Sequence, residues 1–196
     1  RAKDLDVHIF FVTGRPPRWM GEIRDAFGFG EAICCNGAML YDLMNDKVLE
    51  EWMISQEDQL EIVRQITSQL SESGGNRIAA LGLTFKAGTD DLRDSPALFI
   101  LQELVKLGIE VNAYDPTVLA ESSDLFGNIE ICSSINDAAE STDLLVILTE
   151  WSEFSQLNPT ELTGLMNVNR VFDTRGVIDK ETWMKAGFTV KILGRP

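Results

Sequence analysis

From Arg77 onward the chain alternates short apolar runs with longer amphipathic stretches, and this rhythm constrains the fold more than any other feature. Strands are predicted at Arg77–Leu83, Glu110–Tyr114, Ile129–Cys132, Leu144–Leu148, Arg170–Phe172 and Thr189–Leu193. Between Leu83 and Glu110, Ser95 is placed to cap a helix with Pro96 in its first turn and Gly108 just past its end. Strands separated by helices imply a parallel sheet with helices on both faces. No internal repeat or low-complexity segment interrupts the pattern.

The preceding residues follow a different plan. Val7–Val12 is an apolar run stopped by Thr13-Gly14, and it reads as a buried strand followed by a helix from Pro17 to about Phe27. Ala32–Cys35 reads as a second strand, and Met39–Asp42 and Val48–Ile54 flank Asn45-Asp46 as a hairpin. Ser55–Asp58 has the form of a capping box, after which Gln59, Val63, Ile66 and Leu70 share one helical face. The Ser/Gly-rich stretch around Gly74-Gly75 is the expected junction, dividing the chain into 1–75 and 76–196. The α/β segment before it is expected either to add its strands and hairpin to the main sheet or to form a second small lobe.

Composition excludes some partners. Thirty-one acidic residues against seventeen basic ones give a net charge of -14, which repels nucleic acid and anionic membrane surfaces. No apolar run spans a bilayer, and the chain opens on Arg1-Ala2-Lys3-Asp4, so a cytoplasmic protein is expected. The absence of an initiator Met reads as an artificial start. Cys34, Cys35 and Cys132 lack metal-ligand spacing and are expected as reduced thiols, with Cys34 and Cys35 on opposite faces of a strand.

Thr13 and Gly14 sit where a hydroxyl and backbone N–H groups could hold a phosphate, or where they simply form a strand-to-helix turn. Asn36-Gly37 reads as a turn, and His8, the only histidine, as a packed or edge residue. In the second half Gly82 and Gly88 first suggest a dinucleotide-binding turn, but Thr84, Phe85 and Lys86 stand where small residues are needed. Phe85 and Lys86 suit a nucleotide-sugar better, as an aromatic face and a cation beside a diphosphate. Asp115 reads as a turn residue before Pro116 rather than a ribose-binding acid. Asp90, Asp91 and Asp94 read as helix-capping acids rather than metal ligands. Arg93 either neutralises them or contacts a ligand.

Two families are resembled. Ala80-Leu81-Gly82-Leu83-Thr84-Phe85-Lys86, Ala113-Tyr114-Asp115-Pro116, Leu148-Thr149-Glu150-Trp151 and Phe172-Asp173-Thr174-Arg175-Gly176 resemble the C-terminal nucleotide-binding domain of the UDP-glucose and GDP-mannose dehydrogenases. That resemblance covers roughly residues 76–195 and implies a Rossmann-like sheet in which Lys86 contacts a UDP-sugar and Arg175 reaches its phosphate or ribose region. Arginine suits the role through its planar fork. Gly176 departs from the family, which usually has Asn after the Asp-x-Arg motif. Phe11-Val12-Thr13-Gly14-Arg15-Pro16 and Ile33-Cys34-Cys35-Asn36-Gly37-Ala38 resemble part of a Cof-type phosphatase of the haloacid dehalogenase superfamily, over residues 7–75. There the resemblance gives Thr13 a phosphate-binding role.

Neither family's chemistry can be assigned. Asp4 and Asp6 spell the phosphatase Asp-x-Asp but directly precede the Thr13 strand, and covalent phosphoryl transfer also needs a cation. No cysteine lies in a segment resembling the dehydrogenase's catalytic one. No catalytic residue, metal or cofactor is therefore expected. The leading expectation is a non-catalytic α/β protein, a recombined or engineered chimera, binding UDP or a UDP-sugar at most weakly through Phe85, Lys86, Arg93 and Arg175, as a monomer or weak homodimer. The alternatives are a genuine nucleotide-sugar-binding domain of a dehydrogenase and a haloacid dehalogenase-type phosphatase.

Overall fold

The computed structural model describes residues 7–51 and 54–195, and the chain divides into two compact units between Ser55 and Gln56. Among the described residues the strands form two sheets, one in each unit.

The first unit is a four-stranded sheet in the order β1 (Phe10–Val12), β2 (Glu31–Cys34), β3 (Met39–Asp42), β4 (Lys47–Glu51). β1 and β2 are parallel, and the remaining pairs are antiparallel. The expected helix from Pro17 is split into a 3-10 turn at Pro17–Trp19 and α1 (Gly21–Phe27). Met20, at the joint, is 1 % exposed and drives into a small core with Ala32, Cys34, Tyr41 and Leu43. The β3–β4 hairpin forms around Asn45-Asp46 as expected. Asp42 accepts from the Met44 and Asn45 N–H groups at 2.8 and 3.1 Å, and Asp46 adopts a φ of 54°. Residues 52 and 53 of the longer strand expected there lie outside the described residues. Strand alternation is interrupted at Cys35, which leaves β2 with a φ of 53° and enters a 3-10 turn through Gly37.

The second unit opens with α2 (Gln56–Ser73), followed by β5 (Arg77–Leu81), α3 (Pro96–Lys106), β6 (Glu110–Tyr114) and β7 (Ile129–Ile131). α4 (Ile135–Ala139), β8 (Leu144–Ile147), α5 (Ser152–Ser155), α6 (Pro159–Leu162), β9 (Arg170–Asp173), α7 (Lys180–Lys185) and β10 (Thr189–Ile192) complete it. All strand pairs are parallel, in the order β10-β9-β8-β5-β6-β7. Alternation sends Ile78 and Ala80 to a core shared with α2 and α3, and Ala79 and Leu81 to one shared with α5, α6 and α7. Both faces are thus covered, and all four residues of β8 are fully buried, as the near-continuous apolar run of a central parallel strand requires.

The Ser95 cap is present, with Leu98 N–H donating to its hydroxyl at 3.4 Å, and Gly108 follows α3 in the left-handed region. α2 places Ile62, Val63, Ile66 and Leu70 in the second unit's core. Gly74 and Gly75 close it through N–H bonds to Ser71 O (3.3 Å) and Leu70 O (3.1 Å). A Cβ on Gly75 would lie 2.3 Å from Asp143 Cβ, so this Ser/Gly stretch is a packed turn inside the second unit. Burial alone would raise the Asp143 carboxyl, but the N–H groups of Arg77 and Asn76 and the Asn167 amide hold it below its usual range.

Candidate functional site

In the second unit β5 is flanked by β6 on one side and β8 on the other. Connections from this point leave in opposite directions, so their loops part at the carboxyl ends of the strands, where open α/β sheets form crevices. The loops there follow Leu81, Tyr114, Ile147 and Asp173, and they contain Phe85, Lys86 and Arg175.

Asp115 organises them. It is 1 % exposed, and its Oδ2 accepts from Leu83 N–H at 2.8 Å, Thr84 N–H at 3.2 Å, Thr84 Oγ1 at 3.2 Å and Trp151 Nε1 at 3.3 Å. Its Oδ1 accepts from Thr117 N–H at 3.0 Å and Thr117 Oγ1 at 2.8 Å. One carboxylate therefore makes the turn expected before Pro116 and also ties together the loops after β5, β6 and β8. Trp151, from the Leu148-Thr149-Glu150-Trp151 motif, thus donates a polar contact to this node.

Gly82 is required by closeness as well as conformation. Its φ is +94°, and a Cβ there would lie 2.5 Å from the Thr149 side chain. Thr149 Oγ1 in turn donates to Thr84 O at 3.2 Å, and Ser95 Oγ to Leu83 O at 2.6 Å. The backbone beneath Phe85 and Lys86 is thus held from both sides. Phe85 is half-buried and its N–H donates to Asp91 O at 2.8 Å, whereas Lys86 is exposed and its ammonium has no partner among the described residues.

Arg175 is the most constrained cation of the site. Its side chain is only 27 % exposed and lies 3.5 Å from Glu150 Oε2, and its Nε donates to Leu148 O at 2.8 Å. The terminal guanidinium nitrogens make no hydrogen bond among the described residues. Asp173, fully buried, accepts from Arg175 N–H and Gly176 N–H at 2.8 Å each and from Ile178 N–H at 3.0 Å, fixing the loop that carries the arginine. Arg93 is engaged by Asp91 through its Nε and a terminal nitrogen, both at 2.8 Å. The geometry brings Phe85, Lys86 and Arg175 to one sheet edge and shows Arg93 neutralising its neighbour. Among the described residues no three His, Cys, Asp or Glu gather as a metal site.

Beside the node, burial and the neighbouring Glu153 carboxylate raise the Tyr114 phenol above its usual range. Cys132 is buried at the end of β7, and burial pushes its thiol up to about 11. Sequence reading missed the reach of Asp115. A buried acid at a strand end beside a loop rich in N–H donors was the available signal, but an Asp-Pro turn carries the same letters.

In the first unit Thr13 Oγ1 accepts from Arg15 N–H at 3.1 Å, and Thr13 N–H donates to Ile33 O at 2.9 Å. Gly14 is exposed, and Pro16 and Pro17 offer no N–H at the turn that follows. His8 is exposed, and Asp4 and Asp6 lie outside the described residues. Burial raises the thiols of Cys34 and Cys35.

A family model for the UDP-binding domain of the UDP-glucose/GDP-mannose dehydrogenase family matches residues 79–180. A model for haloacid dehalogenase-like hydrolases matches residues 1–78. The UDP-glucose 6-dehydrogenase of Rickettsia conorii is 43% identical over 122 residues, 61% of this chain and 28% of the relative. That of Bacillus subtilis strain 168 is 33% identical over 152 residues, 76% of this chain and 33% of the relative. Among solved structures, the UDP-D-ManNAc dehydrogenase from Pyrococcus horikoshii superposes with a TM-score of 0.58 at 25% identity, covering 72% of this chain and 32% of that one. The chain spans about a third or less of the length of these relatives. The junction between the two family matches falls within β5, whereas the compact units divide before α2. α2 therefore matches with the first half and packs with the second.

Proposed function

The chain belongs, through residues 79–180, to the UDP-glucose/GDP-mannose dehydrogenase family as its UDP-binding domain, and from that premise we propose that it is a nucleotide-binding module without catalysis of its own. Its ligand is UDP or a UDP-sugar, held at the carboxyl ends of the second unit's strands. The observation that carries this reading is Arg175, a largely buried guanidinium anchored at Nε with its terminal nitrogens making no hydrogen bond among the described residues. Such an arrangement presents the fork that recognises phosphate. Lys86 adds a mobile charge, and Phe85 an aromatic face for the base or sugar. Arg93, paired with Asp91, contributes little.

The non-catalytic reading is supported by the thiols. An attacking cysteine needs a depressed pKa, whereas burial raises all three here, Cys132 to about 11. Two segments matching unrelated families, joined inside one β-strand, support a recombined or engineered origin. A phosphatase acting through Thr13 and Gly14 is the weaker reading, because the Thr13 hydroxyl already serves its own turn. The protein is expected as a monomer or weak homodimer in the cytoplasm. Calorimetric titration with UDP and UDP-glucose tests the proposal. Saturable binding weakened by Lys86→Ala and Arg175→Ala is expected, and a folded sample that gives no heat at millimolar ligand would refute it.

A further inference from the structure

Resting on the nucleotide-site reading above, we propose that Arg195 is a second guanidinium of the same site, and that Arg175 and Arg195 together grip the diphosphate of a nucleoside diphosphate. Nothing in the sequence marks Arg195, which lies outside the matched segment. It is brought to the site by a tight reversal after β10.

Leu193 N–H donates to Asp173 O at 2.9 Å, Gly194 turns with a φ of 72°, and Arg195 N–H donates back to Ile192 O at 3.2 Å. That reversal folds Arg195 over the loop after β9. There the glycine beside Arg175 leaves room for it: a Cβ on Gly176 would lie 3.4 Å from a terminal nitrogen of Arg195 and 3.7 Å from its Cζ. Gly176 and Arg175 are pinned through their N–H groups to the same Asp173 oxygen, each at 2.8 Å. The loop that aims one guanidinium is thus the surface against which the other lies.

Electrostatics favours a polyanion between them. Among the described residues Arg195 has no carboxylate partner, although the chain carries a net charge of -14. Glu150, 3.5 Å from Arg175 Nε, is one acid for the pair. Two cations brought to neighbouring loops, one after β9 and one after β10, repel unless an anion bridges them. A diphosphate offers each fork its own phosphoryl group, whereas a monophosphate satisfies one. The Gly176 departure from the family's Asn thereby acquires a role: a Cβ alone would rest in ordinary contact with Arg195, and the amide beyond it in an Asn would compete with the guanidinium for that space.

The test compares UDP, UMP and uridine by calorimetry on the full chain, with thermal melts to verify folding. Arg195→Gln, which keeps the stem and removes the charge, is expected to weaken UDP about tenfold, UMP less, and uridine not at all. Arg195→Lys should recover part of the loss. Gly176→Asn, tolerated at positive φ, should weaken UDP in the parent chain but add nothing to Arg195→Gln, a coupling that a double-mutant cycle reads directly. Unchanged UDP affinity in Arg195→Gln, alongside loss in Arg175→Ala, would overturn this inference and leave the site standing. Equal losses for uridine and UDP would overturn it as well, by showing a structural role. No UDP binding by the parent chain would bring down the site and the inference together.

Discussion

The two units use the same kinds of elements and differ in what covers them. In the second, β8 is buried on both faces and every residue of Leu144–Ile147 is inaccessible. In the first, α1 and the turn before it cover one face of a shorter sheet, and on the edge strand Phe10 is 52 % and Val12 76 % exposed. Apolar strand residues stabilise a fold only in proportion to the area removed from water. The lesson is that a parallel βαβ pair supplies the alternating pattern of an α/β fold without its core, and precise side-chain constellations sit where helices close both faces. The residues proposed for the nucleotide site, Phe85, Lys86 and Arg175, all fall in the unit that does so.

The hardest test of this contrast is truncation. A chain starting at Gln56 should melt cooperatively, because it keeps α2 against the sheet. One starting at Asn76 loses Ile62, Val63, Ile66 and Leu70, each worth about 1.5–3 kcal/mol when fully buried. Together these rival the whole stability of an ordinary domain, about 5–15 kcal/mol. Circular dichroism should show it unfolded, and a cooperative melt of the shorter fragment would break the assignment of α2 to the second unit.

Next in size is the Asp115 node. Asp115→Ala strands Leu83, Thr84 and Trp151 donors in a buried site and should cost about 3–5 kcal/mol in urea unfolding. Asp42→Ala in the first unit, where the acid serves a hairpin turn, should cost about 1 kcal/mol. Similar losses at both would mean the two units are equally constrained.

Alkaline pH offers a third comparison. The Cys132 thiol ionises near 9.0 in the unfolded chain and near about 11 when buried. Above 9.0 the unfolded state binds fewer protons, so this stability is present below that pH and declines up to about 11. The decline should reach about 3 kcal/mol for the second unit, and Cys132→Val should remove it from a pH series of denaturant melts.

Smaller still is the Glu150 effect. Glu150→Gln removes the acid beside Arg175 and should tighten UDP about two- to fivefold at low salt, with the gain fading as salt rises. At the bottom of the scale, Val12→Thr on the exposed strand should change stability by less than about 0.5 kcal/mol. Val146→Thr, which buries a hydroxyl in β8, should cost about 1–3 kcal/mol. Equal values would show that the first unit's open face is covered in solution.

Much of this was legible locally. The strand Glu110–Tyr114 falls where it was expected, Ser95 caps α3, and Asp42 with Asp46 makes the hairpin. Those features depend on neighbours within a few residues. The helix expected from Pro17 broke because Met20 is drawn into the core at the joint, a tertiary demand that no propensity records. The Ser/Gly stretch looked like a linker because its composition is that of one. Its packing against Asp143, nearly seventy residues away, made it a turn.

For the candidate site, the identities of Phe85, Lys86 and Arg175 came from motif letters, and so did the ambiguity of Arg93. What the letters could not carry was pairing: Asp91 engages Arg93, Asp115 joins the loops after β5, β6 and β8, and Arg195 lies beside Gly176. The sequence by itself determined the elements, the alternation that makes a parallel sheet, and the chemistry available at the strand ends, because caps, turns and periodicity act over a few residues. Only the tertiary structure decided which unit α2 joins and which cations keep nitrogens without a hydrogen bond among the described residues, because both depend on contacts between residues far apart in the chain.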